Sequence, residues 1–212
     1  MKRNNEKDLK NILKRFWKFI WHGDSLLSWI MFIVIIFVFI KFIFFPTLSL
    51  VTGTQLPIVI VESCSMYHDR EFEKWWGLNR DWYEKHDIME EEFSKFALKN
   101  GFTKGDIFFV TGVKENNLEE GDVIIFTSGD AKRAIIHRVI SLNPIQTKGD
   151  NNPSQFSLDI NGKINPEKID ETNIKKSQIV GKVVPLKIPY FGWAKLIFFE
   201  SLRPKEDRGF CR

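Results

Sequence analysis

Apolar residues follow three different patterns along the chain, and each predicts a different kind of element. Leu9, Ile12, Leu13, Phe16, Trp17 and Ile20 recur every three to four positions with basic residues between them, the spacing of an amphipathic helix. Leu26 to Phe45 is a run of about 20 residues whose only charge is Lys41, enough to cross a hydrocarbon core of ~30 Å. Lys41 lies about a turn from the far end, where its ammonium can reach the interface. The run is too long for a signal-peptide core, and Pro46-Thr47-Leu48 is not a small-x-small cleavage site. A retained transmembrane anchor is therefore expected over residues 26–46.

Beyond Pro46 the pattern shortens. Leu48–Val61 reads as strand-forming, broken by Thr52-Gly53-Thr54 and Pro57. Further strands are expected over Ile107–Val110, Asp122–Phe126, Ala134–Ile140, Ile145–Lys148 and Ile179–Val184, the first two preceded by Gly-Asp turns. This predicts a mostly β domain over residues 47–190. Within it, Phe72, Trp75, Trp76, Trp82 and Tyr83, then Met89, Phe93, Phe96 and Ala97, fall near helical spacing and close at Asn100-Gly101. They predict a helical hairpin inserted over residues 67–101. Phe156–Asn173 is polar and holds Asn161-Gly162, which predicts a loop or hairpin insert. Ile188–Leu202 is apolar but too short to span, so an interfacial helix is expected, followed by a polar, mobile tail over 203–212.

Charge adds orientation. The net charge is +4, and residues 1–23 carry seven Lys/Arg against Glu6 and Asp8. A basic amphipathic segment ahead of the span favours an anionic membrane face and, by the positive-inside rule, places the N-terminus in the cytoplasm and the β domain outside. The remainder is close to neutral, which argues against a nucleic-acid partner. The counts of 20 Phe and 7 Trp are high, and the Trp-rich insert is a candidate for dipping into the bilayer interface. Cys64 and Cys211 are no disulfide framework, and the sequence leaves a single bridge between them open.

The stretch with chemical promise is Val59–Met66, V-I-V-E-S-C-S-M, where an apolar β-branched run ends in a small polar turn. Such a turn can fix a hydroxyl at a sheet edge within reach of a base. A serine needs a base with a pKa near the working pH, and histidine, ordinarily ~6.5, suits. Of His22, His68, His86 and His137, only His137 sits in a strand-like apolar run of the β domain. His22 lies before the span. His68, Asp69, His86 and Asp87 match no metal spacing and are expected on solvated faces. Asp150 lies on a turn one hairpin beyond His137 and could orient it. Cys64 is the alternative nucleophile, but if Ser63 and Ser65 face a cleft, extended geometry turns Cys64 away. Asp106 and Asp122 are expected to brace their turns. No metal or nucleotide motif is present, so no cofactor is expected.

Taken in order, S-x-S-M, G-D, G-D-V-I-I-F, H-R-V, K-G-D-N-N-P and G-K-V-V resemble type I signal peptidase, in the branch shared by archaea and the endoplasmic reticulum. The resemblance covers roughly Val59–Met66 and Lys104–Tyr190 plus the anchor, and His137 stands where bacterial-type members have lysine. It implies a membrane-anchored serine endopeptidase that removes signal peptides after small residues in an A-x-A-like pattern. Its implied partners are preprotein signal peptides, the lipid bilayer and the translocation channel. It further implies Ser65 as nucleophile, His137 as base, Ser63 and the Ser65 N–H as oxyanion donors, and Met66 beneath the substrate cleft. Two aspartates should follow the histidine about six residues apart, yet position 156 is Phe, leaving the acid open between Asp150 and Asp159. His68 also stands where many relatives have proline. Two alternatives remain at this point: a peptidase of the same fold with a narrow client set, and a catalytically inactive membrane-tethered binding or assembly factor.

Overall fold

The computed structural model describes residues 2–114, 117–128, 134–157 and 169–212, which form two compact units, Met1–Val51 and Thr52–Arg212. In the first, α1 (Lys2–His22) is followed by α2 (Leu26–Phe39). Ser25 caps α2 by accepting the Ser28 N–H at 3.2 Å, and the Ser28 hydroxyl reaches back to the Phe19 carbonyl.

Leu26–Thr52 is one apolar helix of 27 residues, long and apolar enough to cross a membrane. It continues further than the sequence pattern predicts. A π-turn over Ile40–Phe44 precedes α3 (Phe45–Thr52), with the Phe45 N–H bonded to the Ile40 carbonyl. This widened turn accommodates Pro46, whose missing N–H and ring would disrupt a regular turn. Leu48–Thr52 is therefore helix, not strand, and the stop comes at Gly53, whose φ of +71° suits only glycine.

The second unit is built on a six-stranded antiparallel sheet in the order β1-β2-β6-β3-β4-β5. The strands are β1 (Ile58–Ile60), β2 (Ile107–Thr111), β3 (Val123–Phe126), β4 (Ile135–Leu142), β5 (Ile145–Lys148) and β6 (Ile179–Ile188). Four of the five strands expected after the insert fall within two residues at both ends. β6 runs on to Ile188 because Pro185 falls in the register shift opposite β2, where no N–H is needed. Among the described residues helix outweighs strand, so the β character belongs to the second unit rather than to the protein as a whole.

Alternation along β4 sorts the site. Ile136 and Arg138 face Ile125 and Val123, on one side of the sheet, over a core that includes Val61, Met66, Phe102, Phe108 and Val110. His137 faces Ile124 on the other side, near Phe126, Val139, Ile145 and Ile174. The insert comprises α4 (Phe72–Glu84) and a single-turn α5 (Glu90–Phe93) followed by turns, not two equal helices. Its aromatics do not reach for a bilayer. Trp75 and Trp76 are 2% exposed and pack with Phe72, Tyr83, Ile88, Phe93 and Ile140 into a core of their own. The reason is electrostatic as well as apolar, since the rings roof two buried cations. The Arg138 guanidinium lies 4.9 Å from the Phe93 ring centre, and Lys148 Nζ lies 5.0 and 4.9 Å from Trp82 and Tyr83.

The chain end also departs from expectation. Ile188–Leu202 holds only a short α6 (Trp193–Leu196) and a 3₁₀ turn, with Leu196 buried and Phe191, Ile197, Phe198 and Leu202 exposed. The polar tail is bound to the domain: Arg203 is 9% exposed, and Cys211 is disulfide-bonded to Cys64. Charge patterning alone gave no sign of these partners.

Candidate active site

β1 delivers the chain to Ser63–Met66 as predicted, and the turn that follows is held from several sides. Val61 pairs with the first Gly-Asp turn through its N–H to the Asp106 carbonyl (2.9 Å), and its own carbonyl accepts Gly105 N–H (2.9 Å). The Tyr67 N–H closes a turn onto the Cys64 carbonyl at 3.1 Å. The Ser63 and Ser65 hydroxyls lie 3.2 Å apart, on one side, while Cys64 turns away to its disulfide. A disulfide sulfur is no nucleophile, so the thiol alternative at Cys64 is removed. The Ser65 N–H meets no acceptor among the described residues, as a donor for an incoming oxygen should. Met66 is 1% exposed in the core, where its sulfur accepts the Asp150 N–H, so it supports the turn from inside and does not line a substrate surface.

His137, in β4, is 3% exposed. The meeting point is Gly149. A Cβ added there would lie 2.8 Å from His137 Nε2 and 2.9 Å from the Ser65 carbonyl oxygen, with Asn152 Nδ2 at 2.6 Å. Only glycine leaves room for the imidazole and the serine turn to share this corner. The next residue fastens the two loops together: Asn151 donates its N–H to the Ser65 carbonyl (2.8 Å) and its side-chain amide to the Cys64 carbonyl (3.1 Å).

The carboxylate beside His137 is not that of Asp150. His137 Nδ1–H donates to Glu171, a fully buried carboxylate that the sequence pattern did not single out. Glu171 Oε1 also accepts the Thr147 hydroxyl (3.1 Å), and Oε2 accepts the Phe156 N–H (2.8 Å). The Glu171 N–H in turn donates to the Phe156 carbonyl at 2.7 Å. Position 156, where the resemblance implies an aspartate, is thus hydrogen-bonded to Glu171, whose carboxylate meets His137. The one signal in the sequence was the gap itself, Phe at 156. Asp159 lies outside the described residues.

Asp150 does a different job. It is fully buried and accepts from Arg138 Nε and Nη2 (3.0 and 2.7 Å), Tyr83 (3.1 Å) and His68 Nε2 (3.1 Å), not from His137. Burial alone would raise its carboxyl, but the Arg138 charge and the bonds from His68 and Arg138 outweigh that and hold it well below the usual carboxylate range. His68 is therefore no solvated residue: it is buried, stacked on Trp75 at 3.7 Å. His86 stays exposed, stacked on Trp82. Burial pushes the Lys148 ammonium down to about 8, opposed by the charges of Asp150 and Glu171. Asp106 and Asp122 brace their turns as expected, accepting the Thr103 and Glu119 N–H groups.

No cluster of three or more metal-ligating side chains occurs among the described residues. No protein-family model matches this chain, and no curated protein matches it in sequence.

Proposed function

We propose that the protein is a membrane-anchored serine endopeptidase of the signal-peptidase type, working through Ser65, His137 and Glu171. The observation that carries this is the position of His137, with Nδ1 on a buried carboxylate and Nε2 at the same corner as the Ser65 main chain. That is the arrangement general-base activation of a hydroxyl requires. The Nδ1–H bond to Glu171 leaves Nε2 free to take the Ser65 proton, and the carboxylate stabilises the imidazolium that forms. Ser65 attacks the scissile carbonyl, the developing oxyanion is held by the Ser65 N–H and the Ser63 hydroxyl, and the imidazolium then protonates the leaving amine. Water repeats the sequence on the acyl-enzyme.

In this reading β1, at the edge of the sheet, pairs with an extended substrate segment. The apolar helix Leu26–Thr52 anchors the chain with its N-terminus in the cytoplasm and the domain outside, where a disulfide persists. Phe191, Ile197, Phe198 and Leu202 are exposed and suited to the bilayer surface from which a signal peptide emerges. The test is cleavage of a labelled A-x-A precursor in liposomes. Wild type should cut it, and Ser65→Ala and His137→Ala should each lose about 10⁴-fold or more in rate. Undiminished cleavage by Ser65→Ala would sink the reading.

A further inference from the structure

Residues 203–212 were expected to form a mobile polar tail, yet the segment from Glu200 to Cys211 grips the serine turn at two points that bracket Ser63. Arg203 donates from Nη1 to the Glu62 carbonyl (2.9 Å) and from Nη2 to the Glu62 carboxylate (2.7 Å). Cys211 is bonded to Cys64, the residue before Ser65 in the chain, across a separation of 147 residues. The strap between these points is itself folded. Gly209 N–H and Lys104 Nζ both bind Glu200 at 2.7 Å, Lys104 also reaches the Asp207 carbonyl (2.7 Å), and Phe210 packs on Trp193 with ring centres 4.5 Å apart. Lys104 is 1% exposed and belongs to the Lys104-Gly105-Asp106 turn that receives Val61, so the strap braces the base of the serine turn as well.

We infer that this strap is a positioning element for the nucleophile, closed by the Cys64–Cys211 bond, so that full activity requires an oxidising compartment. The inference rests on the peptidase reading of Ser65. The disulfide is the strap's one covalent tie to the serine turn, and the others are hydrogen bonds and ion pairs. Opening it frees one flank of the serine turn while the Asn151 contacts hold the other. Ser65 then samples positions away from His137, and a displacement near 1 Å can cost about 10²-fold in rate. Substrate pairing on β1 depends on the β2 ladder, so KM should change far less than kcat. Closure is thiol–disulfide exchange: two Cys thiols reduce one disulfide of an oxidised carrier, giving the Cys64–Cys211 bond and two carrier thiols. Dithiothreitol reverses it and leaves as its cyclic disulfide.

The experiment compares the full chain in liposomes, oxidised and after dithiothreitol, with Cys211→Ser and with Arg203→Ala, whose disulfide is intact. Cleavage kinetics and amide hydrogen exchange over residues 62–67 are read on each. A fall of tenfold or more in kcat with KM within about twofold, faster exchange in the serine turn, and recovery of wild type but not Cys211→Ser on reoxidation with oxidised glutathione support the clamp. Arg203→Ala should fall between. Unchanged exchange and unchanged kcat after reduction overturn it. If the oxidised wild type cleaves nothing, the peptidase reading fails; exchange that quickens on reduction would still support the clamp, and exchange that does not would overturn it too.

Discussion

Gly149, Glu171 and Lys148 each make a demand that a substitution can expose. At Gly149 the available space is the constraint: a methyl group would press on His137 Nε2, Asn152 and the Ser65 carbonyl together. Gly149→Ala should lower kcat by about 10²-fold or more, since it separates base from nucleophile, while circular dichroism of the domain is unchanged. A variant at wild-type rate would contradict the packing at this corner. Lys148 makes a pH-dependent demand. Its folded-state pKa, about 8, lies below the ordinary 10.5, so the unfolded chain binds the extra proton between those values. Stability should therefore rise as pH climbs from about 8 to 10.5, with the full burial penalty in force below 8. Melting temperatures at pH 7 and 9.5 should show a larger gain for wild type than for Lys148→Met; equal gains would contradict it.

At the scale of elements, strands proved far more legible than the side chains that cross between them. Ile145–Lys148 alternates and is bounded by turns, so its limits could be read directly. Glu171 could not be found that way, because its placement depends on hydrogen bonds between 171 and 156, and nothing in Glu171-Thr172-Asn173 encodes that pairing. Asp150 was misread for a related reason. The turn puts it near His137, but the face of the sheet decides its partner, and that face holds Arg138. The insert's tryptophans looked like membrane anchors because composition cannot tell an exposed aromatic face from one folded over buried cations. Trp75→Ala should cost about 3–5 kcal/mol by chemical denaturation, as expected for a large buried aromatic. A loss under about 1 kcal/mol would mean that the insert is not a core.

For the whole molecule, the fold divides labour around one carboxylate on each side of β4. Asp150, beneath the insert, is structural. Replacing it with Asn leaves Arg138 buried without its counter-charge and should destabilise by about 3–5 kcal/mol. Its contribution is complete above the unfolded carboxylate range near pH 4 and is lost as pH falls below that toward its depressed value. Glu171, on the other side, is placed to act through His137. The measurement that tests this account most directly is kcat of Glu171→Gln on the labelled precursor. An amide nitrogen turned to His137 Nδ1 would leave Nε2 carrying the proton, unable to accept one from Ser65. The account predicts a loss of about 10²–10⁴-fold with a melting temperature close to wild type; a variant that cleaves at the wild-type rate would contradict it.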